Sequence, residues 1–298
     1  MWMPDRRLKA LVVAAPKTGK TGSVAALANA GYRVIVAAFD PGYEVLLNFV
    51  TPENHANLII LPFEDRKGFK GKDAKIAIGN VSTPVAFAKF AQFLNDGRAR
   101  QAPCQGGEII SLEPSDTWGL DTVLVVDNLT SLSDCAMDHL LALQGRDRQS
   151  RRRRDWGLAA DEVDNLLIQM ASSFFTYHLV VLAHHKVQGP QEFMDDDAKN
   201  PDRTDYTNEI REAEKDLIPT KQVPVSIGRK LSANLIRHFP SVVWAEVTDD
   251  GKRVFNLSPS AVRDSGVPVP PGVLPKTLSI ETGLLSIFEA VTGKPKEG

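Results

Sequence analysis

The chain has 298 residues, a net charge of −2, 43% hydrophobic and 24% charged residues. That composition fits a soluble globular protein of one large domain, or one domain with appendages, able to bury its core without disulfides or metals. Cys104 and Cys135 give no metal-ligand spacing and no disulfide framework, so a reducing cytosol is expected; the short apolar run after Arg6, Arg7 and Lys9 argues against a signal peptide, and no stretch is apolar enough to span a membrane.

Leu8 to Ala14 is a short run of branched apolar residues and reads as a buried strand. Lys20 to Ala30 reads as a helix stopping at Gly31, and Arg33 to Phe39 as a second buried strand. Strand, glycine loop, helix and strand in about 30 residues make the βαβ unit of a parallel sheet. Leu58 to Leu61 is a further short strand, Glu64 to Asn80 an exposed loop, Thr83 to Asn95 a helix with Pro84 in its first turn, and Gln101 to Gly107 a turn-rich connection. Thr122 to Val126 is the clearest buried strand and ends in Asp127. Helices are expected over Leu129 to Leu143 and from about Ala159 to Tyr177, with a strand from Leu179 to Ala183 ending at His184 and His185. Val187 to Val223 is polar and aperiodic, hence a functional or disordered loop. A short helix within Ile227 to His238, a hairpin of Val242–Val247 and Arg253–Leu257 turning at Asp249, Asp250 and Gly251, and a proline-rich tail with a helix from Thr282 to Val291 complete the chain. Residues 1–258 are thus one domain and 259–298 a tail.

Ala14-Ala15-Pro16-Lys17-Thr18-Gly19-Lys20-Thr21 matches G-x-x-x-x-G-K-[ST] except that Ala14 stands in the first glycine position. In such a loop the backbone N–H groups wrap a phosphate, the helix N-terminus adds its dipole, the lysine neutralises β/γ oxygens and the hydroxyl ligates Mg²⁺. Ala15, Pro16, Lys17, Thr18, Gly19, Lys20, Thr21 and Gly22 are therefore the candidate ATP-binding residues, with Thr21 and the strand-end Asp127 on the Mg²⁺. Asp127 also reads as an N-cap for the helix from Leu129. A lone Gly-Lys-Thr is common; the strand before it and the helix after it make the motif specific.

With these residues, the Leu124–Leu132 segment, Leu182-Ala183-His184-His185, Asp155-Trp156-Gly157 and Pro224 to Leu231, the chain resembles the RecA-like nucleotide-binding proteins of bacteriophages, some of which are ATP-dependent single-strand annealing or recombination proteins. The resemblance implies an α/β fold: a RecA-like P-loop NTPase core with a largely parallel sheet, a C-terminal β-hairpin and an extended tail. It implies Mg²⁺-dependent ATP hydrolysis, with Asp40 or Glu44 orienting water although neither has the family's usual spacing, and one of His184 and His185 sensing the γ-phosphate. It further implies a homo-oligomeric ring or filament, in which Arg229 or Lys230 reaches a neighbour's γ-phosphate, and a bacterial host cytoplasm if phage-encoded.

Arg146, Arg148, Arg151, Arg152, Arg153 and Arg154 form the densest basic run. Clustered guanidiniums neutralise nucleic-acid phosphates, and Trp156, Phe193 and Tyr206 are available for stacking, so single-stranded DNA is the expected partner. The alternative reading of the run is a solvated loop, or a partner for acidic residues such as Asp195 to Asp197 of a neighbouring subunit. Two other readings stand beside this one: a nucleotide-binding scaffold with little turnover, and a small-molecule kinase with Val187 to Val223 as its lid.

Overall fold

The computed structural model describes residues 7–65, 83–100, 109–146, 149–188, 221–227 and 229–293. Most of Glu64 to Asn80, all of Gln101 to Gly107 and most of Val187 to Val223 lie outside them, as do Arg148, Phe193, Asp195 to Asp197 and Tyr206.

Five strands with unbroken apolar runs form the centre: β1 (Lys9–Ala14), β2 (Arg33–Ala38), β3 (Leu58–Pro62), β6 (Thr122–Asp127) and β7 (His178–Gln188). They are mutually parallel where they pair, and β9 (Ser241–Val247) pairs parallel to β1. Such strands are buried on both faces, which is why they read as continuous hydrophobic stretches. The order across the sheet is β11-β10-β9-β1-β7-β6-β2-β3, with β10 (Arg253–Asn256) antiparallel to both β9 and β11 (Thr277–Ser279). A small separate ladder joins β4 (Arg98–Arg100) to β5 (Ile109–Ser111), and β8 (Lys221–Pro224) pairs antiparallel to the far end of β7.

Helices cover both faces. On one lie α3 (Ala86–Asp96), α4 (Leu129–Leu143) and α5 (Arg153–Met170), burying Phe90, Phe93, Leu132, Met137, Val163 and Leu167 against Leu11, Val13, Leu124 and Val126. On the other lie α1 (Lys20–Ser23), α2 (Ala25–Asn29) and α7 (Ile280–Thr292), packed on Val12, Val34, Val36 and Val125. Each such aliphatic side chain contributes roughly 1.5–3 kcal/mol on burial. The short α6 (Arg229–Asn234) follows β8. This is an α/β fold with a largely parallel sheet covered by helices on both faces.

Three elements differ from expectation. The helix expected over Lys20 to Ala30 is divided at Val24 into α1 and α2. The one expected from about Ala159 begins at Arg153, because Asp155, 2% exposed, accepts from the Arg152 N–H at 2.6 Å and starts the helix inside the arginine run. β7 continues past His185 to Gln188, where β8 holds it. The chain after Pro259 joins the same body: β11 extends the sheet, and α7 buries Leu284, Ile287 and Phe288.

Candidate functional site

The carboxyl ends of β1, β2, β6 and β7 lie at one edge, since Ala14 pairs with His184 and Ala38 with Asp127. In an open parallel sheet this is the edge where ligands bind. A cleft of about 730 Å³ opens there, lined by Lys17, Gly19, Lys20, Thr21, Asp40, Asp127, Asn128 and His184.

Ala14, the last residue of β1, is buried and paired on both sides, opposite His184 of β7 and Ala245 of β9. Its backbone is ordinary strand, so this position does not need the glycine of the motif. The turn comes later: Lys17 (φ 64°) is the one non-glycine with positive φ among the described residues, and Gly19 (φ 100°) repeats the left-handed conformation at the N-cap of α1. These two residues curl the chain ahead of a helix start, whose first N–H groups have no intrahelical acceptor.

Lys20 is buried, with Nζ donating to the carbonyls of Ala15 (3.1 Å) and Ala14 (3.4 Å) and lying 3.2 Å from His184 Nδ1. Thr21 Oγ1 donates to Asp127 Oδ2 at 2.8 Å. Asn128 caps α4 by accepting the Ser131 N–H at 3.0 Å, and its amide nitrogen donates to Asp40 and lies 3.3 Å from His184 Nε2. Ser131 Oγ donates to the other Asp40 oxygen. Thus Lys20, His184, Asn128, Asp40 and Ser131 form one chain of contacts, beside the Thr21–Asp127 pair.

Burial sets the titrations. Desolvation lowers Lys20 to about 8, although Asp127 and Asp40 pull it upward. Burial pushes Asp127 up, opposed by the Thr21 hydrogen bond and by Lys20. His184 is lowered by burial and then by Lys20, so it is neutral at pH 7. A neutral imidazole accepts at one nitrogen only. A charged Lys20 therefore takes Nδ1 and leaves the Asn128 contact without a hydrogen bond, whereas a neutral Lys20 accepts from Nδ1–H and lets Nε2 accept from Asn128. With a pKa of about 8 Lys20 is mostly charged at pH 7 and so donates to Nδ1.

A pH dependence follows. Lys20 binds fewer protons folded (pKa about 8) than at its ordinary 10.5, so the empty protein gains stability as pH rises from about 8 towards 10.5. A phosphate brought beside Lys20 reverses that shift, so binding near pH 8 takes up a proton. The calorimetric binding enthalpy of Mg-ATP at pH 8 should then vary with the ionisation enthalpy of the buffer; no variation would refute this placement.

The donor set fits a hard divalent cation. The Thr21 hydroxyl and the Asp127 carboxylate are adjacent oxygens, as Mg²⁺ prefers, with the remaining positions for water and phosphate. They would hold the ion, which would supply charge neutralisation at the phosphates.

The other candidates fall as follows. Glu44 is exposed and outside the cleft lining, while Asp40 lines it. His184 lines the cleft; its neighbour His185 turns away, its ring 6.0 Å from Trp244, as strand alternation requires. Arg146 donates to both oxygens of buried Asp155 (2.8 and 2.9 Å) and to the Ser150 carbonyl (2.8 Å). Arg151 reaches Asp134 and Asp138 at 3.3 Å, with its guanidinium 5.4 Å from the Trp156 ring. Arg152, Arg153 and Arg154 are exposed. The backbone of Arg229 and Lys230 begins α6, and their side chains lie outside the described set.

The cleft also has walls that the motif did not reveal. Phe49 packs on Gly22 so closely that a Cβ there would sit 3.3 Å from its ring. Arg253, Ile280, Glu281 and Leu285 close the side away from β7.

A curled loop between a buried strand and a helix, with a carboxylate at a nearby strand end, is the arrangement of a phosphate-binding loop on a parallel α/β sheet. No family model and no curated protein matches the sequence. Among solved structures the chain is similar to the RadB recombinase, at 13% identity over 87% of this chain and 84% of that one, with a TM-score of 0.38. It is also similar to a prototypical ATPase from the type III secretion system of pathogenic bacteria, at 9% identity over 82% of this chain and 52% of that one, with a TM-score of 0.37. The chain thus spans about half the length of the latter. Both likenesses are distant.

Proposed function

We propose that the chain is a Mg²⁺-dependent ATPase whose second ligand is single-stranded DNA, acting in annealing or recombination as a homo-oligomer. The observation that carries the nucleotide half is the convergence of Lys20 with the Thr21–Asp127 pair on one cleft at the carboxyl edge of the sheet. Lys20 neutralises the β/γ oxygens, Thr21 and Asp127 hold the metal, Asp40 orients water and His184 meets the terminal phosphate. Arg229 and Lys230 are the candidates for contact with a neighbour's nucleotide. Among the described residues no helix is long and apolar enough to cross a membrane.

The DNA half is supported by Arg152–Arg154, exposed in series beside the partly open Trp156 ring. Arg146 and Arg151 are engaged by carboxylates of the chain itself and shape this region. The test is Mg-ATP binding and phosphate release with and without oligo-dT, on wild type and on the Arg152→Ala, Arg153→Ala, Arg154→Ala triple variant. Each lost phosphate contact should lower the slope of log K against log salt by about 0.7 for a single strand. An unchanged slope would remove these arginines from the interface.

One observation favours a second reading, the scaffold with little turnover. Both Asp40 oxygens already accept hydrogen bonds, from Asn128 and Ser131, which lowers their capacity to orient water. Tight ATP binding with negligible phosphate release in both conditions would select it.

A further inference from the structure

We propose that Arg253 is a phosphate ligand supplied to the nucleotide by the C-terminal part of the same chain; this rests on the nucleotide-binding reading above. Arg253 is the first residue of β10, paired opposite Val247 across the β9–β10 hairpin. Its side chain lies over the phosphate loop: Cδ is 3.6 Å and Nη1 3.8 Å from where a Cβ on Gly19 would stand. It lines the cleft together with Lys17, Lys20 and Thr21.

Two neighbouring cations give the contrast. Lys252 Nζ lies 2.6 Å from Asp250, and Arg263 Nη1 2.7 Å from Glu246. Among the described residues no carboxylate pairs with Arg253, and it is the member of the three that faces the loop. Arg253 is exposed to the cleft, so its guanidinium adds a second positive charge beside the loop that already carries Lys20. Buried Ile280, its Cδ1 3.5 Å from the same Gly19 position, backs the site, and the β10–β11 pairing fixes the strand that carries Arg253. Its fork of donors suits two oxygens of one phosphate or of adjacent phosphates. A planar guanidinium could instead stack on the nucleobase, and the ligand series below separates the two.

The experiment measures dissociation constants of Mg-ATP, ADP and adenosine for wild type, Arg253→Ala, Arg253→Gln and Arg253→Lys, with melting temperatures recorded without nucleotide. Arg253→Ala and Arg253→Gln are expected to weaken ATP and ADP about 10- to 100-fold, Arg253→Lys to recover part of that, and adenosine and the melting temperature to stay unchanged. Unchanged ATP affinity in Arg253→Ala overturns the proposal alone. Equal weakening of adenosine and ATP also overturns it, in favour of base stacking. A wild type that binds neither ATP nor ADP overturns the nucleotide-binding reading and this inference with it.

Discussion

Replacing Lys20 with Ala is expected to lower ATP hydrolysis by about 10²–10³-fold while leaving the fold intact or slightly more stable. The two halves of this outcome share one cause. The ammonium is buried, and desolvation, outweighing the pull of Asp127 and Asp40, lowers it to about 8. Removing it relieves that cost in the empty protein and deletes the cation facing the phosphates. Lys20→Arg should not restore activity, because a planar fork does not fit where one point charge meets the carbonyls of Ala14 and Ala15. Phosphate release beside thermal melting checks both halves. If the melting temperature of Lys20→Ala fell by several degrees with the activity, the lysine would be acting as a structural strut.

Phe255→Ala is expected to cost about 3–5 kcal/mol, the range for a fully buried phenylalanine. Phe255 has no exposed surface and lies between β10 and α7. Its ring approaches Gly283 so closely that a Cβ there would stand 2.7 Å from Cδ2, and 2.9 Å from the Leu278 Cβ. Gly283→Ala should therefore destabilise by about 1–3 kcal/mol through overpacking. Helix propensity alone would make it stabilising by up to about 1 kcal/mol, so the sign decides between the two effects. Combining Gly283→Ala with Phe255→Leu should give a loss smaller than the sum of the single changes, since the smaller side chain makes room for the new methyl. Urea unfolding of the four proteins measures this. Both single variants should also weaken ATP binding, because α7 begins at the cleft wall.

Much of this was legible from residue order. β1, β2, β6 and β7 are central strands buried on both faces, and such strands announce themselves as apolar runs. The loop was legible because its chemistry demands particular residue types at fixed spacing. Asp127 followed from its place at a strand end. Arg253 and Ile280 were not legible as cleft residues, because the β9–β10 hairpin and the start of α7, both far along the chain from the loop, bring them there, and no local pattern encodes that return. The internal partners within the arginine run were hidden for a different reason. A charge run reads as solvated, yet Asp155 is buried with Arg146, and that pairing depends on a turn invisible in composition. The hydroxyl and amide partners of Asp40 were hidden likewise, since Asn128 and Ser131 look like ordinary capping residues.

The position of β1 has a consequence for how the molecule is made. It precedes the other described strands in the chain and carries the phosphate loop at its end, yet its two neighbours start at His178 and Ser241. Until those later segments emerge, the loop hangs from a strand with both edges open. Pairings this distant in the chain are slow to form and expose apolar edges meanwhile. During synthesis β2, β3 and β6 can assemble first, and β1 is inserted between β7 and β9 only once both of those strands have emerged. A nascent chain arrested before Ser241 should therefore fail to retain nucleotide, however long its loop has been complete.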